Sequence, residues 1–380
     1  MTVPAPLPAS PELLSAPLRP AAIDWPDPAR AAAFAQWLAR VAPAHCLQTD
    51  TVRHASADAS FRRYFRVSRL SGAAGGSCIV MDAPPALEDC RAFAHVATLM
   101  ANAGLNAPRV LDWDRTHGFM LLSDLGTRTM MDAIALPPAA NAIAVPTPAV
   151  DALYTGAVDA LIQWQLASKP GVLPDYDDAL LTRELSLFPQ WYVGQYRGLA
   201  LNNGLADALG GLFMQIKANN LASLNAARVF VHRDFMPRNL MVSPRGGPLG
   251  VLDFQDAVYG PITYDIASLM CDAFLTWEED FVLDVTVRYW QKARKAGLPV
   301  GDDFGEFYRA VQWMGLQRHL KILGIFARLT LKDGKPKYLA DTPRFIAYAR
   351  ATCARYRQLG PLMVLLDNIE GNETRVGYTF

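Results

Sequence analysis

VHRDFMPRNL, residues 231–240, is the segment from which the rest of this 380-residue chain can be interpreted. It contains a carboxylate, Asp234, and shortly afterwards an amide, Asn239. A second acidic segment, VLDFQD, follows at residues 251–256. A short apolar run precedes the first acidic residue of each segment, and such runs are typical of buried strands. We therefore predict that each acidic segment follows a strand.

The residues between the two segments favour a hairpin. Residues 239–243 and 249–252 are predicted strands, and residues 244–248, which contain Pro and Gly, form the predicted turn between them. This hairpin would carry Asn239 and Asp253 to neighbouring positions, where both can contact one ion.

These residue types suit phosphoryl transfer. That reaction requires a carboxylate that positions the acceptor hydroxyl, and oxygen ligands that hold Mg²⁺ against the phosphates. Mg²⁺ takes one or two carboxylates besides phosphates and water. We predict Asp234 as the catalytic residue and Asn239 and Asp253 as the Mg²⁺ ligands. A chance pattern in a surface loop is the alternative, and the agreement of motif, hairpin and second aspartate disfavours it.

The pattern H-R-D-x-x-x-x-N at residues 232–239 is the catalytic-loop pattern of kinases. The chain resembles the aminoglycoside-phosphotransferase and choline-kinase family. Within that family, residues 57–66, 253–265 and 317–326 are similar to the bacterial anomeric N-acetylmuramate/N-acetylglucosamine kinases of cell-wall recycling. The similarity runs from about residue 31 to the C-terminus.

The resemblance implies an α+β, protein-kinase-like fold with two lobes. Residues 29–125 would form a small antiparallel-sheet lobe that binds nucleotide, and residues 126–380 a larger, mainly helical lobe for catalysis and substrate binding. The implied reaction is ATP-dependent phosphorylation of the anomeric hydroxyl of N-acetylmuramate and N-acetylglucosamine in peptidoglycan recycling. A kinase for another amino sugar, an aminoglycoside or an amino alcohol remains an alternative, as does a nucleotide-binding regulator with weak activity.

Residues 50–70 are predicted to form strand, turn and strand. Small and polar residues at the tip allow the backbone to approach phosphates, although an ordinary hairpin turn is the alternative. By resemblance, Ser123 and Asp124 begin a hinge whose backbone binds adenine, and a plain strand exit explains them equally well. The predicted nucleotide-binding residues are Ser56, Asp58, Ser60, Arg62, Ser123 and Asp124.

The predicted third strand departs from the kinase pattern. Protein kinases carry a phosphate-pairing lysine there, and this chain has Met81. The positive charge would have to come from Arg62, Arg63 or Arg66, or be missing.

Candidate substrate contacts come from the second acidic segment and from two segments elsewhere in the chain. Residues 180–199 are rich in aromatic residues, which suit stacking on a sugar ring, although an aromatic core explains them as well. The candidate substrate segments, residues 183–197 and 312–328, are not strongly acidic, which favours a neutral or anionic sugar over an aminoglycoside. The candidates are Asp256, Glu184, Trp191 and His319, the last with a packing role as its alternative. We expect Asp265 and His232 to be structural.

Composition limits the remaining possibilities. Lys plus Arg and Asp plus Glu are both 36, so nothing indicates bulk attraction to nucleic acid or to acidic membranes. No apolar run is long enough for a transmembrane helix, and the five scattered cysteines indicate reduced thiols. We expect a cytoplasmic monomer whose partners are ATP and a small-molecule sugar.

Two segments rich in proline and alanine are predicted to lack a fixed structure. Residues 1–28 are predicted to be a disordered arm, and residues 136–150 a flexible insertion.

Overall fold

The computed structural model describes residues 23–25, 27–57, 61–70, 76–134, 143–222, 227–243 and 246–371. The chain divides into two compact units. The first comprises Met1–Cys90 and Val110–Asp124, and the second comprises Arg91–Arg109 and Leu125–Phe380. Residues 91–109, which lie inside the predicted first lobe, therefore pack with the second unit. The antiparallel sheet of the first unit and the mainly helical second unit agree with the predicted α+β, kinase-like fold.

The first unit contains a helix, α1 (Pro28–His45), and a five-stranded antiparallel sheet. Apolar side chains on one stripe of α1 pack on one face of the sheet, where the rings of Phe34 and Phe119 lie 5.5 Å apart. The sheet order is β1-β2-β3-β5-β4. The strands are β1 (Leu47–Ala57), β2 (Arg63–Arg69), β3 (Ser77–Asp82), β4 (Val110–Asp114) and β5 (Phe119–Ser123).

One expectation about the first unit needs correction. Residues 1–22 and 26 of the predicted arm lie outside the described residues, but Trp25 packs on Phe34 with ring centroids 4.9 Å apart. The start of α1 is fixed by Asp27, whose side chain accepts a hydrogen bond from the backbone N–H of Ala29. Pro43 lies inside the last turn of α1, which continues to His45.

The remaining helices form most of the second unit and share apolar buried faces. Their centre is the 28-residue helix α9, which contacts helices on several sides. None of the helices that the structure describes is both long and apolar enough to cross a membrane. The helices are α2 (Cys90–Asn102), α3 (Met130–Ala133), α4 (Pro148–Leu166), α5 (Asp178–Leu187), a π-helical segment (Phe188–Tyr196), α6 (Asn203–Leu221), α7 (Tyr264–Met270), α8 (Glu279–Lys295), α9 (Phe304–Leu331), α10 (Thr342–Arg355) and α11 (Gly360–Glu370), with short 3₁₀ turns at Pro237–Asn239, Pro336–Asp341 and Arg357–Leu359.

Short strand pairs hold the loops of the second unit. The pairs β7–β10 and β8–β9 are antiparallel, and β6–β11 is parallel. The strands are β6 (Ile143–Ala144), β7 (Arg228–Val231), β8 (Leu240–Met241), β9 (Gly250–Val251), β10 (Val258–Pro261) and β11 (Thr276–Trp277).

The predicted insertion at residues 136–150 is partly regular structure. Residues 135–142 lie outside the described residues, but β6 and the first turn of α4 fall within the predicted range. Pro148 is a helix-start residue here, because Thr147 caps α4 and a proline in the first turn has no N–H that the helix needs.

Candidate active site

The segment at residues 231–240 begins where β7 ends. Asp265, which is fully buried on α7, accepts hydrogen bonds from the backbone N–H groups of His232 at 2.7 Å and Arg233 at 2.9 Å. No side-chain cap forms at the start of α7, so Asp265 braces the loop rather than capping its own helix. Burial raises the pKa of Asp265, and the two backbone donors oppose that rise.

His232 is held as the neutral tautomer that carries its proton on Nε2. Its Nε2 lies 2.9 Å from the carbonyl oxygen of Leu252, and its Nδ1 accepts from the backbone N–H of Asp234 at 3.3 Å. Complete burial lowers the pKa of this imidazole. His232 therefore ties the catalytic loop to the second acidic segment, and its geometry agrees with the structural role expected for it.

Arg233 adopts a left-handed backbone conformation, with φ at 78°. A residue with a side chain rarely takes this conformation unless its surroundings fix it. Asp265 holds its backbone N–H, and Glu184 accepts from its Nη2 at 2.5 Å. Its Nη1 lies 3.4 Å from the carbonyl oxygen of Asp256. The residue before Asp234 is thus fixed from three directions.

Glu184 is the centre of a buried polar network. Besides Arg233, three side chains donate to its carboxylate: Lys321 at 2.8 Å, Tyr176 at 2.8 Å and Gln317 at 2.9 Å. Burial by itself raises the pKa of Glu184, but the charges of Lys321 and Arg233 outweigh burial and lower the pKa to about 2. The carboxylate is therefore ionised, and all of its acceptor positions face protein donors.

The predicted hairpin is present, and it brings Asn239 to Asp253. Strands β8 and β9 pair as Leu240 with Val251, and Asn239 Nδ2 lies 3.5 Å from Asp253 Oδ2. The same Nδ2 donates to the carbonyl oxygen of Asp234 at 2.8 Å. The three residues selected from the sequence therefore form one cluster.

The oxygen atoms at this cluster are suitable ligands for a hard metal cation. Asp253 supplies an exposed carboxylate, held at φ 63° and bonded to Gln255 Nε2 at 3.0 Å. Because Nδ2 of Asn239 is already bonded, the amide oxygen is the atom that remains to bind a metal. One carboxylate and one amide oxygen suit a metal that completes its shell with phosphate oxygens and water.

The predicted substrate residues lie in different surroundings. Glu184 is 4% exposed and bonded to four donors, so we reassign it from sugar binding to supporting the loop. Asp256 is exposed and Trp191 is half-buried on the π-helical segment. His319 stacks on the ring of Tyr348 at 4.9 Å, and burial lowers its pKa to about 3, so it is neutral.

In the first unit, the two strands predicted within residues 50–70 are confirmed by β1 and β2, and residues 58–60 of the predicted turn lie outside the described residues. Asp58 and Ser60 lie outside the described residues, as does the side chain of Ser56. Asp124 accepts from Arg66 Nε at 2.6 Å and from Ser77 Oγ at 2.5 Å. Ser123 ends β5, and Arg62 lies just before β2.

Two of the arginines proposed to replace the missing lysine are in ion pairs. Met81 lies opposite Tyr64 across β2 and β3, and Arg66 is on the same face as Tyr64. Arg66 pairs with Asp124, as described above. Arg63, on the opposite face, pairs with the buried carboxylate of Asp82, which also binds Arg30.

Sequence reasoning missed the partnership of Glu184 and Lys321. The two residues are 137 positions apart, so no local pattern connects them. One signal was available, because Gln317 and Lys321 stand one helical turn apart and face the same side of α9.

The chain is similar to known phosphotransferases. The phosphotransferase enzyme family matches residues 51–304. The N-acetylmuramate/N-acetylglucosamine kinase of Pseudomonas aeruginosa is 48% identical over 83% of this chain and 87% of the relative. The enzyme of that name from Neisseria meningitidis is 46% identical over 86% of this chain and 93% of the relative.

Solved structures show the same fold. Choline kinase from Cryptosporidium parvum covers 88% of this chain and 99% of its own, with a TM-score of 0.57 and 12% identity. Amicoumacin kinase in complex with AMP-PNP and Ca²⁺ covers 82% of this chain and 91% of its own, with a TM-score of 0.53 and 14% identity. The family match spans more than half of this chain and both curated relatives match most of it, so the chain belongs to the phosphotransferase enzyme family.

Proposed function

We propose that this protein is an ATP-dependent kinase that phosphorylates the anomeric hydroxyl of N-acetylmuramate and N-acetylglucosamine. The observation that carries the proposal is the cluster of Asp234, Asn239 and Asp253 on a loop fixed by Asp265. The names of the relatives at 46–48% identity supply the acceptor. A kinase with these acceptors would act in peptidoglycan recycling, and its use of ATP favours a cytoplasmic location.

The chemistry follows from the position of Asp234. Its carboxylate accepts a hydrogen bond from the acceptor hydroxyl and directs the hydroxyl oxygen toward the γ-phosphorus of ATP. Phosphoryl transfer proceeds through a loose transition state, so Asp234 can take the proton late, and precise positioning accounts for much of the rate. The brace from Asp265 and the ion pair of Arg233 with Glu184 supply that positioning.

Asn239 and Asp253 are the proposed ligands of Mg²⁺. When bound, Mg²⁺ offsets the negative charge on the β- and γ-phosphate oxygens. The chain contributes the carboxylate of Asp253 and the amide oxygen of Asn239. His232 keeps these ligands in register with Asp234, because it bonds to the carbonyl oxygen of Leu252, the residue before Asp253.

The test is an acceptor panel. Purified protein with Mg²⁺ and ATP is assayed for ADP release with N-acetylmuramate, N-acetylglucosamine, kanamycin and choline, and phosphorylated products are located by ³¹P NMR. We expect turnover with the two N-acetyl sugars and phosphate on the anomeric oxygen. Turnover only with kanamycin or choline would overturn the acceptor, and phosphate on another sugar oxygen would overturn the position.

A further inference from the structure

A group of buried polar atoms without hydrogen-bond partners lies where α9 faces the segment after α7. Arg318 is 2% exposed and Asp272 is 1% exposed. Among the residues that the structure describes, none bonds to Nε or Nη1 of Arg318 or to Oδ2 of Asp272. Both ring nitrogens of His319, the next residue on α9, are likewise without a described partner. We call these three residues the Arg318 cluster.

Buried polar atoms without partners are unfavourable unless a bound molecule supplies the partners. A buried donor left without an acceptor costs the full desolvation of that group, and the cost is larger for a charged group. Arg318 nevertheless carries two buried N–H-bearing atoms, Nε and Nη1, without a described acceptor. The missing acceptor atoms are accounted for if they come from a molecule that binds here.

Several guanidinium groups act on the carboxylate of the cluster. Burial raises the pKa of Asp272 to about 6, and the charges of Arg344, Arg238 and Arg318 oppose that rise. One carboxylate therefore faces three guanidinium groups, of which Arg344 also lies 3.6 Å from Asp341. Burial makes His319 neutral, so it adds no charge. Asp265, on which the charge of Arg318 also acts, is a third carboxylate near these groups.

The cluster adjoins the catalytic loop on one side through Tyr264. The guanidinium of Arg318 lies 5.2 Å from the centre of the Tyr264 ring. Lys321 bonds to the hydroxyl of the same ring at 3.1 Å, and its charge interacts with that of Asp234. The charge of Arg318 also acts on Asp265, the brace of the loop.

On the other side, the loop itself reaches the cluster. Arg238 lies between Asp234 and Asn239 in sequence, and its guanidinium is 4.8 Å from the centre of the Phe274 ring. The backbone N–H of Phe274 donates to Asp272 Oδ1 at 2.6 Å. An acceptor held at the cluster is therefore close to the loop that carries Asp234.

We propose that Arg318 binds a carboxylate on the acceptor sugar and so makes the enzyme favour an acidic N-acetyl hexosamine over a neutral one. This inference rests on the proposed function, because N-acetylmuramate carries a carboxylate that N-acetylglucosamine lacks. The guanidinium of Arg318 can donate charge-assisted hydrogen bonds to a carboxylate from Nε or from Nη1, the two atoms without a described partner. Asp272 Oδ2 remains as an acceptor for a sugar hydroxyl or amide N–H.

The test compares two acceptors in the same protein. The kcat/KM for N-acetylmuramate is divided by that for N-acetylglucosamine in the wild type, Arg318→Gln and Arg318→Lys. The loss of a charge-assisted hydrogen bond predicts a fall in this ratio of about 10- to 100-fold in Arg318→Gln and a smaller fall in Arg318→Lys. Arg328→Gln, on the last turn of the same helix, should leave the ratio unchanged.

The outcomes separate this inference from the proposed function. Wild type that phosphorylates both sugars, with the same ratio in Arg318→Gln, would overturn the role of Arg318 and leave the proposed function standing. An equal loss for both sugars in both Arg318 variants would do the same, because a purely structural arginine has that effect. Wild type that phosphorylates neither sugar would overturn both.

Discussion

Glu184 keeps two cations, Arg233 and Lys321, in a space almost closed to water. A buried ion pair offsets its desolvation cost only when its geometry is good and its remaining atoms are hydrogen-bonded. Tyr176 and Gln317 complete the bonding of the carboxylate. This network fixes the position of Asp234, because Arg233 directly precedes Asp234 and has a left-handed backbone conformation that needs support from neighbouring groups.

We predict that Glu184→Gln destabilises the protein and lowers kcat. The amide leaves two buried cations without a counter-charge, and breaking a buried pair costs about 3–5 kcal/mol. The KM for ATP should change less than kcat, because Glu184 acts through Arg233. Urea unfolding at pH 7 and steady-state kinetics are the measurements.

The pH dependence of stability gives the same variant a second readout. The pKa of Glu184 is about 2 in the folded protein and near 4.5 in the unfolded chain. Its stabilising contribution is therefore complete above pH 4.5 and is lost as the pH falls toward 2. Wild type should lose stability more steeply than Glu184→Gln across this window.

Asp178→Asn is the matched control for Glu184→Gln. Asp178 lies on the same helix, is exposed, and pairs with Lys217 at 2.7 Å. Surface pairs contribute little, so this variant should unfold like the wild type. Equal stability and kcat in the wild type and Glu184→Gln would refute the buried network as a support of the loop.

At the scale of elements, α9 passes very close to the junction of α5 and the π-helical segment. A Cβ atom at Gly324 would lie 2.4 Å from the backbone carbon and oxygen of Leu187. Glycine permits this approach because it has no Cβ. The helix that carries Gln317, Arg318 and Lys321 is thereby fixed against the helix that carries Glu184.

We predict that Gly324→Ala destabilises the protein, because helices α9 and α5 must separate to admit the methyl group. Overpacking of this kind costs about 1–3 kcal/mol. Gly315→Ala on the same helix is the control, since its Cβ would lie 3.6 Å from the side chain of His319, an ordinary van der Waals contact. That variant should be neutral or gain up to about 1 kcal/mol from helix propensity. Thermal unfolding of both proteins decides the matter, and equal melting temperatures would disprove the close contact.

Elements with a strong local signal could be predicted from the sequence. The hairpin of β8 and β9 followed from two apolar runs around a turn. Proline was a source of error in the insertion predicted at residues 136–150, where Pro148 lies in the first turn of α4. A proline fits the first turn of a helix as readily as a loop, so composition alone does not distinguish these positions.

At the scale of the whole molecule, the site residues that could be predicted are those that lie close together in the sequence. Asp234, Asn239 and Asp253 fall within one short stretch and came together as expected. A structural role was also expected for Asp265, which lies on a nearby helix. The support from Glu184 could not be predicted in the same way, because the pairing of distant segments depends on tertiary packing.

Family membership adds what the geometry alone does not supply. The cluster indicates phosphoryl transfer, and the relatives indicate which acceptor to test first. The two observations are independent, since the first concerns the reaction and the second its substrate. If neither N-acetyl sugar is phosphorylated, the assignment of Asp234, Asn239 and Asp253 to phosphoryl transfer is therefore unaffected.

The central claim is that Asp234 positions the acceptor hydroxyl for transfer from ATP, and Asp234→Asn tests it most directly. ADP release with N-acetylmuramate and the affinity for Mg²⁺·ATP are measured on the same preparation. Asparagine keeps the shape of the side chain but cannot accept the hydroxyl proton, so we predict that turnover is abolished while nucleotide affinity stays near that of the wild type. Normal turnover in Asp234→Asn would contradict the account.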